Sequence, residues 1–223
     1  MMMYLLVIVA FIFSLWAQFR VKGTFKKWSK VANSNGMTGY EAARHMLDVN
    51  GLSDIPIEPV RGSLSDHYDP IHRVVRLSEP VYYESSIAAV SVACHEIGHA
   101  IQHKEHYPML ALRHRMFPVV NFASGVAPFM LLAGFIFNYM NLVGLGIIFF
   151  SAAVVFQLVT LPVEFNASNR ARQVMVEQGY IRNEEERGVA KVLNAAALTY
   201  VAAALVSLLE LLRLITVFLG NRD

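Results

Sequence analysis

The stretch Ser91-Val-Ala-Cys94-His95-Glu96-Ile-Gly98-His99-Ala100 sets two imidazoles four residues apart, with a carboxylate directly after the first. On an α-helix, positions i and i+4 share one face about 6 Å apart, so His95 and His99 can bind a single metal ion together. Glu96 can then reach a water on the open coordination position of that ion and take its proton as general base. The preceding residues, Ile87-Ala-Ala-Val-Ser-Val-Ala93, are small and mostly apolar, which predicts a buried central helix opening near Ser85 or Ser86. Gly98 leaves room for another backbone to approach between the histidines. Cys94 is the one cysteine of the chain, so no intramolecular disulfide can form and no cysteine zinc knuckle is indicated; it reads as a small core residue.

Around this helix the composition is that of a membrane protein. Of 223 residues 55% are hydrophobic and only 16% charged, with a mean hydropathy of +0.42, and the excess apolar surface must go into lipid. Nineteen Lys and Arg against seventeen Asp and Glu leave a net charge of +2, too small to argue for nucleic acid. Residues 1–18 form a near-unbroken apolar run ending at the interfacial Trp16, read as a retained anchor because a basic start and a cleavage site are lacking. Arg20, Lys22, Lys26, Lys27 and Lys30 follow it, which puts that end in the cytoplasm and the N-terminus outside. Met116 to Phe137 and Leu142 to Leu161 are two further spans joined by the short tip Asn138-Tyr-Met-Asn141, a transmembrane hairpin. Arg113 and Arg115 before it and Arg170 and Arg172 after it make both open ends cytoplasmic. Val192 to Leu219 is a fourth apolar stretch, interrupted by Glu210 and Arg213, which at i,i+3 can neutralise each other.

The segment from Val21 to Arg115 has the mixed charge and turn signals of a soluble domain. Thr38 with Glu41 forms a capping box opening a helix that the Asn50-Gly51 pair closes. Ile55 to Val60 and Arg73 to Leu77 read as short strands, the second exposed and able to pair with an extended peptide.

Catalytic zinc takes three protein ligands, so the two histidines need a partner. His103 continues the four-residue spacing, yet on a straight helix it lies about 12 Å from His95. Gln102 occupies the position at which a glycine would reverse the chain, and His103, His106 and His114 read as polar or interfacial residues. Glu164 is the better candidate, because a hairpin that leaves and returns on one side of the membrane can deliver it back to the motif helix. A carboxylate at that depth is costly unless metal-bound or paired, and the competing reading pairs it with Arg170 or Arg172.

Asp66-His-Tyr-Asp-Pro70, Val75-Arg-Leu-Ser78, His95-Glu-Ile-Gly-His-Ala-Ile-Gln102 and Pro162-Val-Glu-Phe-Asn-Ala-Ser-Asn-Arg-Ala171 resemble the YugP-type neutral zinc metallopeptidases of bacterial membranes. The likeness covers nearly the whole chain. More distantly, the chain is similar to the HtpX and CAAX prenyl protease group, in which a membrane hairpin separates the two-histidine helix from a glutamate ligand. The resemblance implies a gluzincin-like endopeptidase holding one zinc ion on His95, His99 and Glu164. One departure is Asn166, near which an acidic residue is expected; Asn can hydrogen-bond but carries no charge.

The reaction expected is hydrolysis of peptide bonds, with Glu96 moving the proton from water to the leaving amine. His67, Tyr68, Arg170 and Arg172 are the candidates for stabilising the oxyanion, and Asp66 and Asp69 could orient a ligand histidine or simply form a turn. The rival readings are a metal-ion transporter and a catalytically silent zinc-binding scaffold. Transport is disfavoured because the motif lies outside all four apolar runs.

The expected architecture is a mainly α integral membrane protein of about four transmembrane helices with a cytoplasmic α+β zincin-like domain. Its parts are an anchor (1–19), a protease domain (20–115), a transmembrane hairpin (116–163), a cytoplasmic helix with the third ligand (164–191) and a last transmembrane helix (192–223). The expected setting is a bacterial cell membrane, with the site on the cytoplasmic side. The expected partners are the lipid bilayer, a protein or peptide substrate and no nucleic acid, with a second copy or another membrane protein left open.

Overall fold

The computed structural model describes residues 2–182 and 184–220. Residue 1 of the expected anchor, residue 183 of the expected cytoplasmic helix and residues 221–223 of the expected last helix lie outside the described residues. In chain order the elements are α1 (Met2–Trp28), α2 (Gly39–Val49), β1 (Ile57–Val60), β2 (His67–Asp69), β3 (Val74–Ser78), α3 (Glu79–Tyr83), α4 (Ile87–Lys104), α5 (Pro108–Ile136), α6 (Met140–Glu177) and α7 (Glu186–Gly220). The protein is mainly helical, and α1, α5, α6 and α7 are each long and apolar enough to cross a membrane.

The chain divides into two compact units. One comprises the described parts of residues 1–18, 108–162 and 198–223. Large apolar side chains point outward along its helices, among them Phe11, Phe122, Phe129 and Ile148, each more than half exposed, a surface suited to hydrocarbon rather than water. Arg213 pairs with Glu210 one turn away and lies over the Tyr4 ring, so neither charge of the pair is left without a counterpart.

The other unit, residues 19–107 and 163–197, has a core of its own. Met46 and Leu47 of α2, Val75 and Leu77 of β3, Val90, Cys94 and Ile97 of α4, Met175 of α6 and Leu193 of α7 meet in it. The capping box of α2 forms in full: Thr38 Oγ1 accepts the Glu41 N–H, and Glu41 accepts the Thr38 N–H. Asn50 and the left-handed Gly51 close that helix. Ser86 caps α4 by accepting the Ala89 N–H, at the expected start. Cys94 is fully buried in the core, and burial pushes its thiol pKa well up, so it stays a neutral packing residue.

The sheet corrects one expectation. Its strand order is β1-β3-β2, with β1 parallel and β2 antiparallel to β3. The strand expected to be exposed is therefore the central one, its hydrogen-bonding edges both occupied, and an added peptide strand cannot pair with it. His67 to Asp69 supplies the edge strand β2, and the turn expected at the Asp-Pro step follows it, with Asp69 Oδ1 accepting the Ile71 and His72 N–H groups.

Candidate metal centre

Helix α4 brings His95 and His99 onto one face, with ring centroids 4.8 Å apart. Helix α6 brings Glu164 against them. Gly98 makes the approach feasible, since a Cβ there would lie 2.6 Å from the Ala167 carbonyl oxygen of α6. Glu164 Oε2 lies 3.4 Å from His95 Nε2 and 3.6 Å from His99 Nε2. These three residues form the metal-type donor cluster among the described residues, with donor atoms all within 4.8 Å of one another.

The spacing can be tested against zinc. Two donors about 2.05 Å from a tetrahedral ion stand about 3.3 Å apart, so 3.4 and 3.6 Å need only a slight inward adjustment. The donor chemistry fits as well, being two imidazole nitrogens and a carboxylate. Both imidazoles are mostly buried and Glu164 almost wholly so, which limits competition from bulk water. Burial works against charge on His99, but the Glu164 carboxylate outweighs it and the His99 pKa is raised.

The distal nitrogen of each ring is also engaged. His95 Nδ1 lies 3.1 Å from Ser168 Oγ, and His99 Nδ1 lies 3.0 Å from Gln102 Oε1. Neither Ser168 nor Gln102 is assigned a role by the motif spacing. A search at i+4 from Glu164 and i+3 from His99 reaches both, because those positions share a helix face with the donors.

Glu96 is buried beside the cluster, and its Oε2 accepts the backbone N–H of Tyr68 at 3.0 Å. The edge strand β2 thereby holds the candidate base by its main chain. The Tyr68 hydroxyl is hydrogen-bonded to His103 Nδ1. His103 is thus tied to β2, outside the donor cluster.

The remaining candidates are engaged elsewhere. His67 is exposed, its Nδ1–H donating to the Ser65 carbonyl. Asp66 accepts from the Ser78 N–H and hydroxyl. Asp69 accepts from His72 and Arg76, and the His72 contact first among these holds its carboxyl well below the usual range. Neither aspartate orients His95 or His99, whose Nδ1 atoms face Ser168 and Gln102 instead. Arg170 binds Asn166 and Glu105, and Arg172 binds Glu186, whereas Glu164 faces the imidazoles of His95 and His99. Asn166 Oδ1 accepts from both Gln102 Nε2 and Arg170 Nε, a task that needs an oxygen but no negative charge.

A family model described as "Putative neutral zinc metallopeptidase" matches residues 3–219. The chain is 66% identical over 223 residues to the "Putative membrane protease YugP" of Bacillus subtilis (strain 168), covering 100% of this chain and 99% of that protein. No solved structure matches it. With the match spanning residues of both compact units, this chain belongs to the neutral zinc metallopeptidase family that the model describes.

Proposed function

We propose that this protein is a membrane-embedded zinc-dependent endopeptidase that hydrolyses peptide bonds of membrane or membrane-proximal proteins. The observation that carries the reading is Glu164 Oε2 standing 3.4 and 3.6 Å from the Nε2 atoms of His95 and His99. His95, His99 and Glu164 are the ligands of one zinc ion, and Glu96 is the general base. When bound, zinc supplies Lewis-acid chemistry, acidifying a water and polarising the scissile carbonyl.

The residues of the chain do the rest. Glu96 takes the proton from the water and returns it to the leaving amine, held for the task by the Tyr68 N–H on one oxygen. Its burial keeps bulk water from levelling that transfer. Ser168 and Gln102 orient the two imidazoles. Of the candidate oxyanion donors, Tyr68 is the one whose backbone touches Glu96, with its hydroxyl shared with His103; Arg170 and Arg172 are paired with Glu105, Asn166 and Glu186.

The same reading places the N-terminus outside and the site on the cytoplasmic side. The basic residues Arg20, Lys22, Lys26, Lys27 and Lys30, with Arg113, Arg115, Arg170 and Arg172, support that orientation by the positive-inside rule. The domain layout follows: an anchor over 1–19, the protease domain over 20–115, a hairpin over 116–163, the helix with the third ligand over 164–191 and a last span over 192–223.

The test is the Glu96→Gln variant of the full-length protein, assayed for zinc content and for cleavage of an unfolded protein substrate. Zinc content should stay at the wild-type level while cleavage falls by at least about 10²- to 10⁴-fold, the usual share of a general base. Retained cleavage would overturn the mechanism. Metal flux into liposomes without proteolysis would make the protein a transporter instead.

A further inference from the structure

We propose that Gln102 is a positioning residue that fixes the metal-binding tautomer of His99 and ties that ring to the backbone beside Glu164. The inference rests on the reading of His95, His99 and Glu164 as metal ligands. Gln102 is fully buried on α4, three residues after His99. Its side-chain amide makes three hydrogen bonds. Nε2 donates to the Val163 carbonyl at 2.8 Å and to Asn166 Oδ1 at 2.9 Å, while Oε1 faces His99 Nδ1 at 3.0 Å.

The orientation of this amide follows from its neighbours. A backbone carbonyl can only accept, so the nitrogen of Gln102 must face Val163; the flipped amide would set two oxygens against each other. The second anchor is independent. Arg170 Nε can only donate, and it does so at 2.7 Å to the same Asn166 Oδ1, which fixes the Asn166 amide as an acceptor toward Gln102 as well. Gln102 Oε1 is therefore the atom presented to His99.

A carboxamide oxygen only accepts, so His99 Nδ1 must carry its hydrogen. In the neutral ring the lone pair then belongs to Nε2, the atom that faces Glu164 Oε2 at 3.6 Å. The tautomer needed for metal binding is set before any metal arrives. His95 differs, because its Nδ1 partner is the Ser168 hydroxyl, which can donate or accept and so imposes no tautomer.

The same amide also spans the two helices. Val163 immediately precedes Glu164, so the bond from Gln102 to its carbonyl links the His99 ring to the helical turn that presents the third ligand. A rotation of α6 that withdrew Glu164 would break a buried hydrogen bond, and one that displaced His99 would leave a buried amide oxygen without its donor.

The experiment uses the full-length protein in detergent, with Co²⁺ as a spectroscopic probe and zinc affinity measured by competition with a chromophoric chelator. Gln102→Leu should lower zinc affinity about 10- to 100-fold, and at saturating Co²⁺ its visible bands should shift from those of the wild type as the ring turns. Unchanged affinity with an unchanged spectrum would overturn the proposal. Should that variant fail to fold, the unmodified protein answers directly. ¹⁵N-histidine spectra of the metal-free wild type, recorded at a pH where the His99 ring is neutral and assigned with His99→Asn, should show its hydrogen on Nδ1; a neutral ring with its hydrogen on Nε2 would overturn it. A wild-type protein that gives no cobalt bands dependent on His95 would instead sink the metal reading itself, which separates the two failures.

Discussion

Helices α4 and α6 supply the same three-donor cluster by opposite constructions. Helix α4 has 18 residues, an N-cap at Ser86, and small side chains that let it sit buried in a core drawn from several elements. It gives two donors and the candidate base within five residues. Helix α6 has 38 residues, about 57 Å at 1.5 Å per residue, roughly twice the thickness of a hydrocarbon core. It gives one donor about two-thirds of the way along, backed by Ser168 one turn later. The short helix carries its chemistry as a local repeat, whereas the long one carries a single carboxylate whose meaning depends on what it meets.

Removing that carboxylate breaks the comparison most directly. A metal that binds only the folded state adds stability, about 4 kcal/mol when free metal exceeds Kd a thousandfold. Chelation should therefore lower the Tm of the wild type by several degrees. In Glu164→Ala, zinc content should fall well below one per chain, and chelation should leave Tm unchanged. Full zinc occupancy in that variant would show that α4 holds the ion without α6.

The crossing of the helices comes next. Replacing Gly98 by Ala raises intrinsic helix propensity by about 1 kcal/mol. The added Cβ would stand 2.6 Å from the Ala167 oxygen, and overpacking against backbone costs about 1–3 kcal/mol. The steric cost should win. Gly98→Ala should lose stability and also metal, because α6 must back away and take Glu164 with it. A variant that is more stable and fully loaded would mean that the close approach does not position the ligand.

These differences also explain what could be read from the chain before its structure. His95, Glu96 and His99 declare themselves because helical periodicity converts spacing into geometry. The cap residues Thr38, Glu41 and Ser86 are legible for the same reason, each acting within one turn. Glu164 stands 65 residues after His99, a separation no local rule bridges; the hairpin topology, the cost of an unpaired carboxylate at that depth and the family resemblance are what recommend it. Sheet order was not legible at all. Nothing in Arg73 to Leu77 says that it lies between two strands, since β2 is three residues long and drawn from a segment rich in turn formers. Gln102 was visible only as a residue in the place of a glycine; its role needs Val163 and Asn166, more than sixty residues away.

The smallest effect separates the two imidazoles by the chemistry of their supports. Ser168 touches His95 Nδ1 through a hydroxyl that can turn either way, so its loss removes one hydrogen bond without releasing a fixed tautomer. Ser168→Ala should weaken zinc binding by about tenfold, the lower end of the range for such supports, or ~1.4 kcal/mol. Its Co²⁺ bands should stay where those of the wild type are, in contrast to the shift expected when Gln102 is replaced. Competition titration and the cobalt spectrum of this one variant decide the point. A spectral shift as large as that of Gln102→Leu would make the two supports equivalent, and the asymmetry between a ring held by α4 itself and a ring held from α6 would be lost.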